Sequence, residues 1–142
     1  IGQLQSNKAA EAVALFDVIH TLDRSSLVTA LARACQAAGR QPRLLMQVNI
    51  GDEPQKGGCA IAALPALLAE ARDAGLAVDG LMAIPPADRE AAPYFALLAE
   101  LADRHGLPLR SMGMSGDFPT AIMLGATHVR VGTALFGARE RN

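Results

Sequence analysis

The chain has no tryptophan, a single tyrosine (Tyr94) and four phenylalanines, so aromatic residues make up only 4% of its 142 positions. This excludes an aromatic platform on which the bases of single-stranded nucleic acid could stack. An excess of charge is missing too: 13 Lys and Arg against 14 Asp and Glu leave a net charge of −1. Neither nucleic acid nor an anionic membrane finds an electrostatic handle on such a chain. Two cysteines, Cys35 and Cys59, are too few and too far apart for a disulfide framework or a thiolate metal site, a usage that fits a reducing cytoplasm. The three histidines, His20, His105 and His128, show no His-x-x-x-His spacing, and no metal site is expected from them. No apolar run approaches the roughly 18 residues that cross a bilayer.

What the chain does have is a 51% hydrophobic composition arranged in alternating short apolar runs and amphipathic segments. Helices are expected over about residues 7–16, 24–38 (capped by Asp23 or Ser25 and stopped by Gly39), 61–74, 91–105 and 118–124. Strands are expected over 18–21, 44–50, 78–84, 109–112 and 129–134, with a polar loop over 51–58. Strands that alternate with helices imply a parallel sheet with right-handed crossovers, and these strands are apolar on both faces, as buried parallel strands are. The fold class is therefore α/β, with five strands in one domain over residues 1–142, a pattern that suits a TIM-type (β/α)8 barrel. A closed barrel needs eight strands and about 250 residues. Five strands alone are expected to leave two raw edges and an exposed apolar interior.

The chemistry concentrates in the stretch from Ser111 to Gly137. Ser115 and Gly116 follow an apolar strand; Arg130, Gly132 and Thr133 lie on the next. Two successive strand ends thus offer hydroxyls, small residues and bare N–H groups to one point, the way (β/α)8 barrels hold phosphate. The plainer readings are that Ser115 merely caps a helix and that Gly132 and Thr133 are ordinary strand residues. Arg130 is expected to point into the barrel, where a buried guanidinium needs a partner; an interior carboxylate is the plain alternative. Asn49 and Met82 stand at strand ends that could line a pocket, Met82 more simply as core. His20 could face the site, and His105 suits a helix C-terminus. Of the two lysines, Lys56 reads as solvated, and Lys8 as a residue near the mouth of the site.

The segment Ser-Met-Gly-Met-Ser-Gly-Asp (111–117), followed by Val-Arg-Val-Gly-Thr-Ala-Leu-Phe-Gly-Ala-Arg (129–139), closely resembles the pyridoxal phosphate homeostasis proteins, single-domain relatives of the alanine racemase barrel. Further motifs match in order: Ile1-Gly2-Gln3-Leu4-Gln5-Ser6-Asn7-Lys8, His20-Thr21-Leu22-Asp23-Arg24, Gln47 to Glu53 with Lys56-Gly57-Gly58, and Gly80-Leu81-Met82-Ala83-Ile84-Pro85. The resemblance implies that the five strands are roughly the last five of a TIM-type (β/α)8 barrel and that pyridoxal 5′-phosphate (PLP) is the cofactor. It also implies cofactor-binding roles for Met114, Ser115, Gly116, Arg130, Gly132 and Thr133, with Arg130 facing the pyridine nitrogen. The Schiff-base lysine of the family falls before its Leu-Gln-Ser-Asn-Lys motif, so it is expected upstream of residue 1. The function implied is a cytoplasmic carrier or regulator of PLP, monomeric at full length, with apo PLP-dependent enzymes as partners and no nucleic acid or membrane. It is not expected to be an enzyme. A PLP-dependent amino-acid racemase and a phosphate-sugar enzyme on the same barrel are the rival readings. The first wants a Tyr or Cys opposite the cofactor, and the only Tyr, Tyr94, falls in a helix of the outer ring; the second wants acids and a lysine at strand ends, where only Asp23 and Asp117 stand out.

Overall fold

A computed structural model describes residues 1–137; Ala138 and Arg139, the last two residues of the C-terminal motif, lie outside the described residues. After a 3-10 turn over Ser6–Lys8 come α1 (Ala9–Leu15), β1 (Val18–Leu22), α2 (Ser25–Ala38), β2 (Arg43–Gln47), α3 (Leu64–Asp73), β3 (Val78–Met82), α4 (Ala92–Arg104), β4 (Leu109–Met114), α5 (Phe118–Met123), β5 (His128–Arg130) and α6 (Thr133–Phe136). The five strands form one parallel sheet in the order β1-β2-β3-β4-β5. The chain is thus an α/β half-barrel.

Local chemistry explains the element ends. In α2 the buried residues Leu27, Val28, Leu31, Ala34 and Cys35 recur at helical spacing and form its core stripe. Gly39 stops it at φ 59°, a left-handed conformation that suits glycine, and Arg40 N–H bonds back to the Cys35 carbonyl at 3.2 Å. Proline sits in the first turn of α3, α4 and α5, where its missing N–H leaves no helical bond unmade. The start of α2 differs from expectation. Arg24 holds the cap position with no side-chain cap. Asp23 instead pairs with Arg24 at 2.7 Å and accepts from Gly58 N–H at 3.3 Å, while Ser25 donates to Glu70. The contacts to Gly58 and Glu70 join separate elements and outbid local capping.

The helices cover one face of the sheet. Leu44, Met46, Leu81 and Met112 point to that face and pack with Phe95, Leu98 and Leu31, all essentially inaccessible to water. Burying one such side chain is worth about 1.5–3 kcal/mol. The alternate positions point to the other face, which is concave. Its curl is tight enough for His20 of β1 to reach Ser111 of β4 across two intervening strands, with Nδ1 and Oγ 2.8 Å apart. Gly80 on β3 belongs to this tight region: a Cβ there would lie 2.2 Å from the Leu109 carbonyl oxygen. Contrary to the expected open interior, Leu45 and Met82 are fully buried on that side, because the sheet folds over them. Exposed apolar groups lie instead towards the two sheet edges, Leu15 and Phe16 before β1 and Met123, Leu135 and Phe136 around β5. β1 and β5 are those edges and share no ladder.

The final strand is shorter than expected. It ends at Arg130, and Gly132 and Thr133 begin α6 instead of continuing the strand. The β-branched run Val129-x-Val131-x-Thr133 suggested a strand, but Gly132 (φ −119°, ψ −74°) turns the backbone into a helix.

Candidate functional site

Met114, Ser115, Gly116, Gly132 and Thr133 line one open pocket at the C-terminal ends of β4 and β5, with Phe136 at its side. Ser115 does not cap α5, whose cap position is Asp117. Its hydroxyl oxygen accepts from the N–H groups of Gly132 at 3.1 Å and Ala134 at 3.2 Å, the cap and the first turn of α6. Asp117 closes the other loop by accepting from Met114 N–H at 2.6 Å. The N–H groups of Gly116 and Thr133 have no acceptor among the described residues. Two N–H groups therefore converge on one oxygen at the rim, beside further donors free to serve a ligand.

Arg130 is not part of that rim. It lies on the concave face, 7% exposed, donating from Nη1 to Ser111 Oγ at 2.7 Å and from Nη2 to the Ala83 carbonyl at 2.9 Å. Its Nε is buried with no partner among the described residues. Burial pulls the guanidinium down to about 10, with Asp117 acting in the opposite direction. It therefore remains charged at neutral pH, and its partners among the described residues are neutral oxygens rather than an interior carboxylate.

His20 shares the Ser111 hydroxyl and meets the His128 ring edge-on at a centroid distance of 5.8 Å. Burial, and after it the charges of Arg130, His128 and the N-terminal amine, pull its imidazole down to about 4. Ser111 carries no signal of its own in the sequence. Only the curl of the sheet, which brings residues 91 positions apart together, reveals it.

Other candidates lie elsewhere. Asn49 holds the loop after β2, donating to the Glu53 carbonyl at 2.9 Å and accepting from Glu53 N–H at 3.0 Å. Lys56 is not freely solvated: it pairs with Glu53 at 2.6 Å and donates to the Pro85 carbonyl at 2.9 Å. Lys8 pairs with Glu11 on the surface. Tyr94 packs from α4 against the helix-side core, away from the concave face. His105 ends α4. Gln47, which composition and spacing did not single out as a buried polar group, is 7% exposed with its Oε1 unpaired. Among the described residues no group of three or more His, Cys, Asp or Glu side chains could hold a metal, and no helix is long and apolar enough to cross a membrane.

Residues 1–140 match the alanine racemase N-terminal domain. The chain belongs to that family. Its relatives include the pyridoxal phosphate homeostasis protein of Pseudomonas aeruginosa, 42% identical over 147 residues, which cover 99% of this chain and 64% of that protein. The protein of the same name from Escherichia coli K12 is 40% identical, again over 64% of its length. The chain thus spans a little under two thirds of these relatives. Among solved structures, PipY of Synechococcus elongatus PCC7942 without PLP superposes with a TM-score of 0.86 at 40% identity, over 96% of this chain and 69% of that one. The same protein with PLP bound superposes at 0.84. An alanine racemase from Clostridium difficile 630 shares the fold, with a TM-score of 0.69 at 12% identity over all of this chain and 40% of that one. Alanine racemase domains of this family therefore set the frame in which the pocket at Ser115 and the buried Arg130 are to be read.

Proposed function

We propose that this family member binds pyridoxal 5′-phosphate as part of a cytoplasmic protein that carries or regulates the cofactor. The observation that carries the reading is the convergence of the Gly132 and Ala134 N–H groups on the Ser115 hydroxyl, next to a buried arginine with an unused donor. The rim suits a phosphate, whose oxygens can take the same donors. The arginine suits a ring nitrogen. PipY with PLP bound and relatives named for PLP homeostasis support the choice of this cofactor.

When bound, PLP supplies an electron-accepting pyridine ring. Arg130 holds its own proton at neutral pH and can only donate, so a ring nitrogen held against it would accept its hydrogen bond and remain unprotonated. That would temper the ring as an electron sink and favour holding the cofactor over carbanion chemistry. A racemase would need a second acid or base opposite the ring, and Tyr94 is spent on core packing. Covalent attachment is assigned to neither Lys8 nor Lys56, since each pairs with a glutamate away from the rim. The five strands are, in this reading, the later strands of a complete (β/α)8 barrel forming one domain. Its partners are apo PLP-dependent enzymes, and it works as a monomer.

Titration of the chain with PLP, followed by absorbance, tests the reading. The expected result is weak, saturable binding that inorganic phosphate displaces, with no cofactor trapped on Lys8 or Lys56 by borohydride. Binding that ignores phosphate, or near-stoichiometric trapping on either lysine, overturns it.

A further inference from the structure

The concave face holds a hydrogen-bonded chain whose proton positions can be worked out. Ser111 Oγ is completely shielded from water and lies between Arg130 Nη1 at 2.7 Å and His20 Nδ1 at 2.8 Å. A guanidinium has only donors, so the hydroxyl accepts from Arg130. Its own hydrogen then points to His20 Nδ1, the one remaining partner of the hydroxyl among the described residues; a neutral imidazole donating from Nδ1 would leave that hydrogen buried without an acceptor, so the imidazole proton is placed on Nε2. The opposite arrangement, a charged imidazole donating from Nδ1, would bring two cations to one oxygen in a poorly hydrated place. We infer that Ser111 and His20 are positioning residues for Arg130: the imidazole orients the hydroxyl, and the hydroxyl, with the Ala83 carbonyl, fixes the direction of the guanidinium. This rests on the reading above only in giving Arg130 a cofactor to face. The groups packed around the chain agree with it. His128 meets His20 edge-on from β5, and Asp117 from the β4–α5 loop favours the charged guanidinium.

Nitrogen NMR of the labelled 142-residue chain at pH 7, without ligand, tests the arrangement directly. His20 is expected with its proton on Nε2 and Nδ1 bare. In Ser111→Ala the His20 signals shift and the Arg130 side-chain N–H groups exchange faster with water. A proton on Nδ1 in the wild-type chain, or Arg130 exchange unchanged by Ser111→Ala, overturns the inference. A binding arm adds a readout that mere structural support would not move. Ser111→Ala is expected to weaken PLP binding about tenfold, the scale of one hydrogen bond to a charged group. His20→Asn, whose side-chain oxygen can stand where Nδ1 accepts, retains binding to within about threefold, whereas His20→Leu does not. Equal binding by the Asn and Leu variants overturns the role of His20. Failure of the wild-type chain to bind PLP overturns the proposed function alone and leaves the positioning role to be decided by the ligand-free spectra.

Discussion

The rim at Ser115 and the buried site at Arg130 use opposite means to the same end. The rim is exposed and built mainly from backbone: one hydroxyl gathers two N–H groups, and glycine keeps side chains out of the way. The Arg130 site is buried and built from side chains drawn from β1, β4 and β5, with one main-chain carbonyl. Backbone donors stay when a side chain is changed, whereas a side-chain network fails at each member. The rim should therefore tolerate substitution and the buried site should not, and four experiments would break or sharpen that contrast.

The largest effect is expected at Arg130. Arg130→Met keeps much of the bulk but removes every donor, and PLP affinity measured by titration should fall about 10- to 100-fold, as for loss of a hydrogen bond from a charged group. Acid comes next. The folded His20 takes up its proton only near pH 4, below the ordinary value of 6.5, so the unfolded chain is protonated first. This contribution to stability is present in full above about pH 6.5 and is lost as pH falls towards 4. Urea unfolding at pH 7 and pH 5 should show the loss, and His20→Asn should remove that component. Ser115→Ala should weaken phosphate displacement of PLP by only about fivefold, since the Gly132 and Ala134 donors remain. The smallest change is expected for Thr133→Ala, exposed and without a side-chain hydrogen bond among the described residues, with stability by thermal melting unchanged within about 0.5 kcal/mol. A rim variant that costs more than Arg130→Met would reverse the comparison.

The same contrast explains what could be read from the sequence. Alternation of apolar runs with Gly-stopped helices made the order of strands and helices legible, because both signals are local. Ser115 and Gly116 were legible as a pair in a loop, yet the hydroxyl's partners were not, since Gly132 and Ala134 belong to a turn that looked like strand. Ser111 was invisible as a functional residue. Its significance depends on how far the sheet curls, which is set by packing such as the close approach at Gly80 and has no signature in any short window. Lys56 was misplaced for a related reason: a polar residue in a polar loop gives no sign of whether it is solvated or ties down its own backbone.

Cys59 ends the loop that follows β2, 7% exposed, and is held against the end of that strand by Cys59 N–H to the Gln47 carbonyl and Asn49 N–H to the Cys59 carbonyl, each at 2.9 Å. Burial pushes its thiol up to about 11. A thiol reagent needs both access and thiolate, and the closed loop denies it both. Modification of Cys59 can therefore proceed only through moments when the loop lifts, so its rate is an internal clock for that opening. In the Cys35→Ala background the chain carries its own stopwatch for the motion of the loop at the C-terminal end of β2, with no added label.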